Sequence, residues 1–78
     1  MGKLEKLRRK LLARPVEMDF ADVRLLLEAD DWVLNRVTGS HHHFTKAGER
    51  TMTVSVHNGK VRQSAVNDIA DRISQTER

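Results

Sequence analysis

The apolar positions of this chain fall into a few periodic stretches, and each predicts an element. Leu4, Leu7, Leu11 and Leu12 sit at helical spacing with lysines and arginines between them. This is the pattern of a short basic amphipathic helix, or of a frayed tail, stopped before Pro15 because the residue before a proline avoids the α region. In "DFADVRLLLEADD" the residues Phe20, Val23, Leu26 and Leu27 form one stripe. Asp19 stands where an N-cap carboxylate could accept from free backbone N–H groups. Asp22 suits the positive end of the helix dipole. Glu28, Asp30 and Asp31 crowd the other end, where the dipole disfavours them, so the helix itself offers no reason for them. They are expected to form a partner-facing patch.

The period then changes from helical to two. "WVLNRVT" is rich in β-formers, Gly39-Ser40 breaks it, and "HHHFTK" follows. "KAGER" is a turn. "TMTVSVH" alternates, with Met52, Val54 and Val56 on one face and Thr51, Thr53, Ser55 and His57 on the other, the mark of a strand with one buried face. "NGK" is a turn. A last helix carries Val66, Ile69, Ala70 and Ile73 on one stripe, with Ser64 as its expected N-cap. The order is helix, three strands, helix. Short links imply an antiparallel three-stranded meander with both helices on one face, an α+β fold.

The same alternation orients the histidines. Phe44 and Met52 both belong in the core, so they should lie opposite each other. His42 then faces Val54 and His41 faces Ser55, because a one-residue slip would bury Thr45 and expose Phe44. In this register His41 and His43 point to the open face, His57 lies diagonal to His41, and His42 turns to the helix-covered side.

Composition narrows what such a face can do. A chain of 78 residues makes one domain. A domain this small buries only about 60% of its unfolded surface, so chemistry is expected on an open surface rather than in a deep cavity. With no cysteine there is no disulfide, thiolate metal site or cysteine nucleophile. The basic start lacks the apolar run of a signal peptide. Nothing approaches the roughly 18 apolar residues of a membrane span. A soluble, cytoplasmic protein is expected. The net charge of +3 is arranged in blocks. Residues 1–14 carry six Lys/Arg against one Glu, and residues 15–31 carry six Asp/Glu against one Arg. Residues 32–62 carry five Lys/Arg against one Glu and contain all four histidines. A basic face attracts polyanions through counterion release.

Three readings of the histidines stand side by side. They could be a solvated polar strand face. They could offer nitrogens to a metal in an interaction domain, although no carboxylate or thiolate accompanies them. They could do acid–base chemistry on a phosphodiester, since imidazole titrates near neutrality with a pKa of about 6.5. RNA brings its own 2′-OH nucleophile, so one or two histidines and a few cations suffice. Phe20, Trp32 and Phe44 all belong to the core and leave no aromatic for base stacking. An RNA would therefore be held by its backbone, with Lys46, Arg50, Lys60 and Arg62 as phosphate contacts. A non-catalytic RNA- or DNA-binding module on the same fold is the alternative.

"GSHHHF" after a helix and a strand, then "TVSVHNGK", then a capped C-terminal helix, resembles the HicA toxins of HicAB toxin–antitoxin systems over about residues 20–73. The resemblance implies a fold like a double-stranded-RNA-binding domain, α-β-β-β-α. It implies a metal-independent endoribonuclease that cleaves mRNA without a cofactor until a HicB-like antitoxin covers its active site. The family's catalytic histidine corresponds to His41. Gly39 matches the glycine beside it, where a missing side chain leaves room for a phosphate. Ser40 completes the motif, and His57 is carried over as a contributor. Two features depart from the family. Residues 1–16 form a basic extension before a domain of residues 17–76. The last helix is acidic where the family is commonly lysine-rich.

Overall fold

A computed structural model describes residues 2–76. The chain runs α1 (Lys3–Leu12), β1 (Glu17–Asp19), α2 (Phe20–Ala29), β2 (Val33–Thr38), β3 (His41–Thr45), β4 (Met52–His57), β5 (Lys60–Arg62) and α3 (Gln63–Thr76). The sheet order is β1-β5-β4-β3-β2, and every pairing is antiparallel. The α+β class and the central three-strand meander are as expected, but among the described residues there are five strands rather than three and three helices rather than two. The two additional strands have three residues each, too short to show a period. They exist because they pair with each other and because β5 closes a hairpin on β4.

Two-residue links set both hairpins. Thr38 pairs with His41 around Gly39-Ser40, and His57 pairs with Lys60 around Asn58-Gly59. Gly39, Asn58 and Gly59 all have positive φ, between 52° and 75°. Glycine and asparagine adopt that region at least cost, and two-residue hairpin loops demand it. Asn58-Gly59 is therefore a hairpin and not only a turn.

The expected β3–β4 register holds in every pair. Phe44 faces Met52, His42 faces Val54, and His41 faces Ser55. Phe44, Met52 and Val54 are buried with Met18 and Val61 against Val23, Leu26 and Leu27 of α2 and Val66, Ile69, Ala70 and Ile73 of α3. α1 belongs to the same core through Leu7 and Leu11, while Leu4 and Leu12 are exposed. At the C-terminal end of α1, Arg14 takes a left-handed φ of 55°. Its guanidinium pairs with Asp71 and donates to the Asn67 carbonyl, and Gln63 donates to the Arg14 carbonyl. The basic N-terminal segment is thus a docked helix, latched to α3.

Two local features shape the exposed face. β4 pairs with β3 through Met52–Ser55, but with β5 through Val56 and His57, so it passes from one neighbour to the other along its length. The register of β2 on β3 shifts between Leu34 and Arg36, where Asn35 forms a bulge. Leu34 faces Phe44, and beyond the bulge Arg36 faces His43 and Val37 faces His42. One extra residue lets both Leu34 and Val37 share the side of the core, and it turns Arg36 to the other side.

Candidate nucleic-acid interface

Strand alternation and the observed register bring a set of polar side chains to the face opposite the core. β3 contributes His41 and His43, and β4 contributes Thr53, Ser55 and His57. β5 contributes Lys60 and Arg62, and β2 contributes Arg36 and Thr38. His41 and His57 are exposed and His43 is half-buried. His43 Nδ1 lies 3.1 Å from Thr53 Oγ1, which fixes its ring across the strand pair. His42 is a different residue in kind. Its ring packs 4.5 Å from that of Phe20, centroid to centroid, and its Nδ1 lies 3.4 Å from the Ser40 carbonyl. That carbonyl also accepts from the Val56 N–H at 2.8 Å, so Ser40 helps tie the hairpin turn to β4.

A groove of about 400 Å³ opens on this face, lined by Thr53, Ser55, His57, Arg62, Ser64, Ala65 and Asp68. α3 forms one wall of it. The helix starts directly after β5, so its first two turns reach the rim of the face whose other side α3 buries. His41 stands beside the groove, directly opposite Ser55. Ser55, Thr53 and Asp68 belong with the expected site. Alternation along β4 reveals the first two, whereas no sequence pattern announces Asp68.

The expected cations are not gathered in one place. Arg62 lines the groove and is exposed. Lys60 forms an ion pair with Asp19, across the β1–β5 pairing. The hydrogen bond to Lys60 and its charge hold the Asp19 carboxyl below the usual range, and the same pair holds the Lys60 ammonium above its own. Asp19, expected as a side-chain cap of α2, therefore turns its carboxylate to Lys60 instead. Arg50 is exposed on a separate depression with Arg72, Asp68 and Asp71, and its carbonyl accepts from Arg72.

Lys46 is removed from the face altogether. Its Nζ lies 3.3 Å from Asp30 Oδ2 and 5.9 Å from the centre of the Trp32 ring, whose other cationic neighbour is Arg72 at 5.8 Å. Trp32 Nε1 donates to the same Asp30 oxygen at 3.3 Å. Part of the acidic cluster at the end of α2 thereby receives a structural reason, while Glu28 and Asp31 stay exposed. Asp30 anchors the buried indole, Glu28 pairs with Arg24 one turn back, and Asp31 takes the left-handed φ of 69° that leaves the helix. The Lys46 and Asp30 side chains are only 17% and 18% exposed. Lys46→Ala should consequently lower stability by about 1–3 kcal/mol, by removing one side of the largely buried Lys46–Asp30 pair. Chemical denaturation followed by Trp32 fluorescence measures this, and the salt dependence of RNA binding should not change.

Gly39 is exposed, and a Cβ built on it would meet nothing within 4 Å. Within the chain the glycine is required by its φ of 60°, not by crowding. Among the described residues, no three of His, Cys, Asp and Glu lie close enough to hold one metal ion. Nor is any helix among them long and apolar enough to cross a membrane.

With this geometry in place, comparison with known proteins decides the family. A family model described as the HicA toxin of bacterial toxin–antitoxin systems matches residues 20–75. The chain belongs to the HicA toxin family. It is the toxin of a toxin–antitoxin pair, with a cognate antitoxin as its partner. The match takes in α2, the central meander and most of α3. In this HicA family member the match begins after α1 and β1. No curated protein and no solved structure matches the chain.

Proposed function

We propose that this HicA family member is a metal-independent endoribonuclease that cleaves mRNA on its open sheet face, and that a HicB-like antitoxin silences it by covering that face. The observation that carries the reading is a groove lined by His57 and Arg62, with His41 directly opposite its Ser55, in a chain whose family is a toxin family. Cleavage needs no cofactor. A base removes the 2′-OH proton, and O2′ bonds to phosphorus. The P–O5′ bond breaks, and an acid gives its proton to O5′. The products are a 2′,3′-cyclic phosphate and a 5′-hydroxyl. His41 serves as the acid–base residue. His57 lies diagonal to it at roughly 7 Å, within reach of the opposite side of one phosphate, and serves the other proton step. Arg62 offsets charge on the phosphoryl oxygens. Gly39 leaves the turn beside His41 without a side chain, so that a phosphate can approach.

The test is direct. Purified protein in excess chelator should cleave a mixed-sequence single-stranded RNA and leave cyclic phosphate and 5′-hydroxyl ends. Binding without cleavage would instead favour a non-catalytic RNA-binding module, and cleavage that stops in chelator would contradict the metal-independent mechanism.

A further inference from the structure

The open face holds a second depression on the far side of the histidines from the groove. It is about 190 Å³ and is lined by Asn35, Arg36, His43, Thr45 and Thr51. These side chains present a guanidinium, a carboxamide, an imidazole and two hydroxyls, all of which can donate hydrogen bonds. Among the described residues no carboxylate lines it, whereas the larger groove includes Asp68. His43 engages Thr53 through Nδ1, which leaves Nε2 as its other ring nitrogen. Arg36 reaches this position only because of the bulge at Asn35. Bulges commonly occur where a strand must re-aim a side chain, and this one lies on an edge strand beside the candidate catalytic row.

Arg36 and Arg62 also differ from several other cations of the chain. Lys60, Lys46, Arg14, Arg24 and Arg72 have carboxylate partners. Among the described residues, neither Arg36 nor Arg62 has one. Arg36 on β2 and Arg62 on β5 are three strand spacings apart, roughly 15 Å, with His41, His43 and His57 between them.

We infer that the Arg36 depression is a second phosphate-binding site, and that a single RNA strand crosses the sheet from the β2 bulge to the α3 groove with one phosphate held at each end. This rests on the proposal that the open face acts on RNA. Its content is the path: the strand runs across the sheet, over both hairpin strands, and grips an arginine that the family resemblance does not single out. The site is built for anions, and its small volume suits one phosphate with its ribose rather than a duplex.

The experiment measures binding of an unstructured single-stranded RNA by fluorescence anisotropy over a range of potassium chloride, in the His41→Ala protein so that no cleavage intervenes. Arg36→Gln should weaken binding about three- to tenfold at low salt and flatten the log–log salt slope by about 0.7, the value for one phosphate contact on a single strand. Arg62→Gln should do the same, and the double variant should lose about twice that slope. Arg36→Lys should retain the slope of the parent. If Arg62→Gln weakens binding and Arg36→Gln leaves both affinity and slope unchanged, the strand does not reach β2 and the inference is overturned, while the ribonuclease reading stands. If the protein with His41 intact neither binds nor cleaves RNA, the reading itself fails and takes the second site with it.

Discussion

Leu11→Ala should destabilise the protein by about 2–5 kcal/mol, although the residue lies outside the segment that matches the family. Leu11 is fully buried, and Leu7 one turn earlier is 9% exposed. Both belong to the core that α2, α3 and the sheet share. Truncation removes the transfer free energy of the lost methyls and leaves a cavity that close-packed neighbours refill only in part. A domain of this length has a total stability of about 4–12 kcal/mol, so the loss is a large fraction of the whole. Removing residues 1–16 should be more severe. It strips both leucines and the Arg14 latch on Asp71 and Asn67, and it uncovers apolar surface on α2 and α3. Urea unfolding followed by Trp32 fluorescence measures the first variant, with Leu4→Ala as the exposed control expected within about 0.5 kcal/mol of the parent. If Leu11→Ala were no more harmful than Leu4→Ala, or if residues 17–78 were as stable as the full chain, α1 would be an appendage and not a part of the domain.

His41→Ala should reduce RNA cleavage by about 10²- to 10⁴-fold, the usual worth of a positioned acid or base. Its stability should change little, because His41 is exposed. RNA affinity should stay within a few-fold, because the grip is assigned to Arg62 and Arg36. His42→Ala should behave in the opposite way. His42 packs on Phe20 under the hairpin, so its loss should show in unfolding more than in cleavage. The pair of variants separates chemistry from packing between two adjacent residues of one strand. Equal cleavage by the parent and His41→Ala would remove His41 from the mechanism.

The parts of this architecture that were legible in advance are those governed by strict period. Alternation along "TMTVSVH", together with the need to bury both Phe44 and Met52, is enough to place every β3–β4 pair and to sort His41 and His43 from His42. The helical stripes of α2 and α3 were equally readable. Other features depend on partners far away in sequence. The Lys60 ion pair joins residues 41 positions apart, so neither the diversion of Lys60 nor the lost cap of Asp19 could be seen in a local window. Asp30 looks misplaced on a helix C-terminus until Lys46, at the end of β3, folds over Trp32 to meet it. The two short strands leave no periodic trace, but one did leave a signal. Asn-Gly after an alternating strand is a hairpin motif, and reading it as a bare turn hid β5. The bulge was also within reach. Leu34 and Val37, three apart in the strand, lie on one side of the sheet, a spacing that a flat pleat does not give, although Val37 itself is exposed. That mismatch is what turns Arg36 toward the histidines.

If the open-face histidine makes this chain a toxin, growth in living cells will depend on it. Induced expression of the parent protein should arrest growth. His41→Ala, confirmed as folded by its unfolding curve and accumulated to the same level, should permit growth at the uninduced rate. Arrest by both proteins to the same extent would contradict the account.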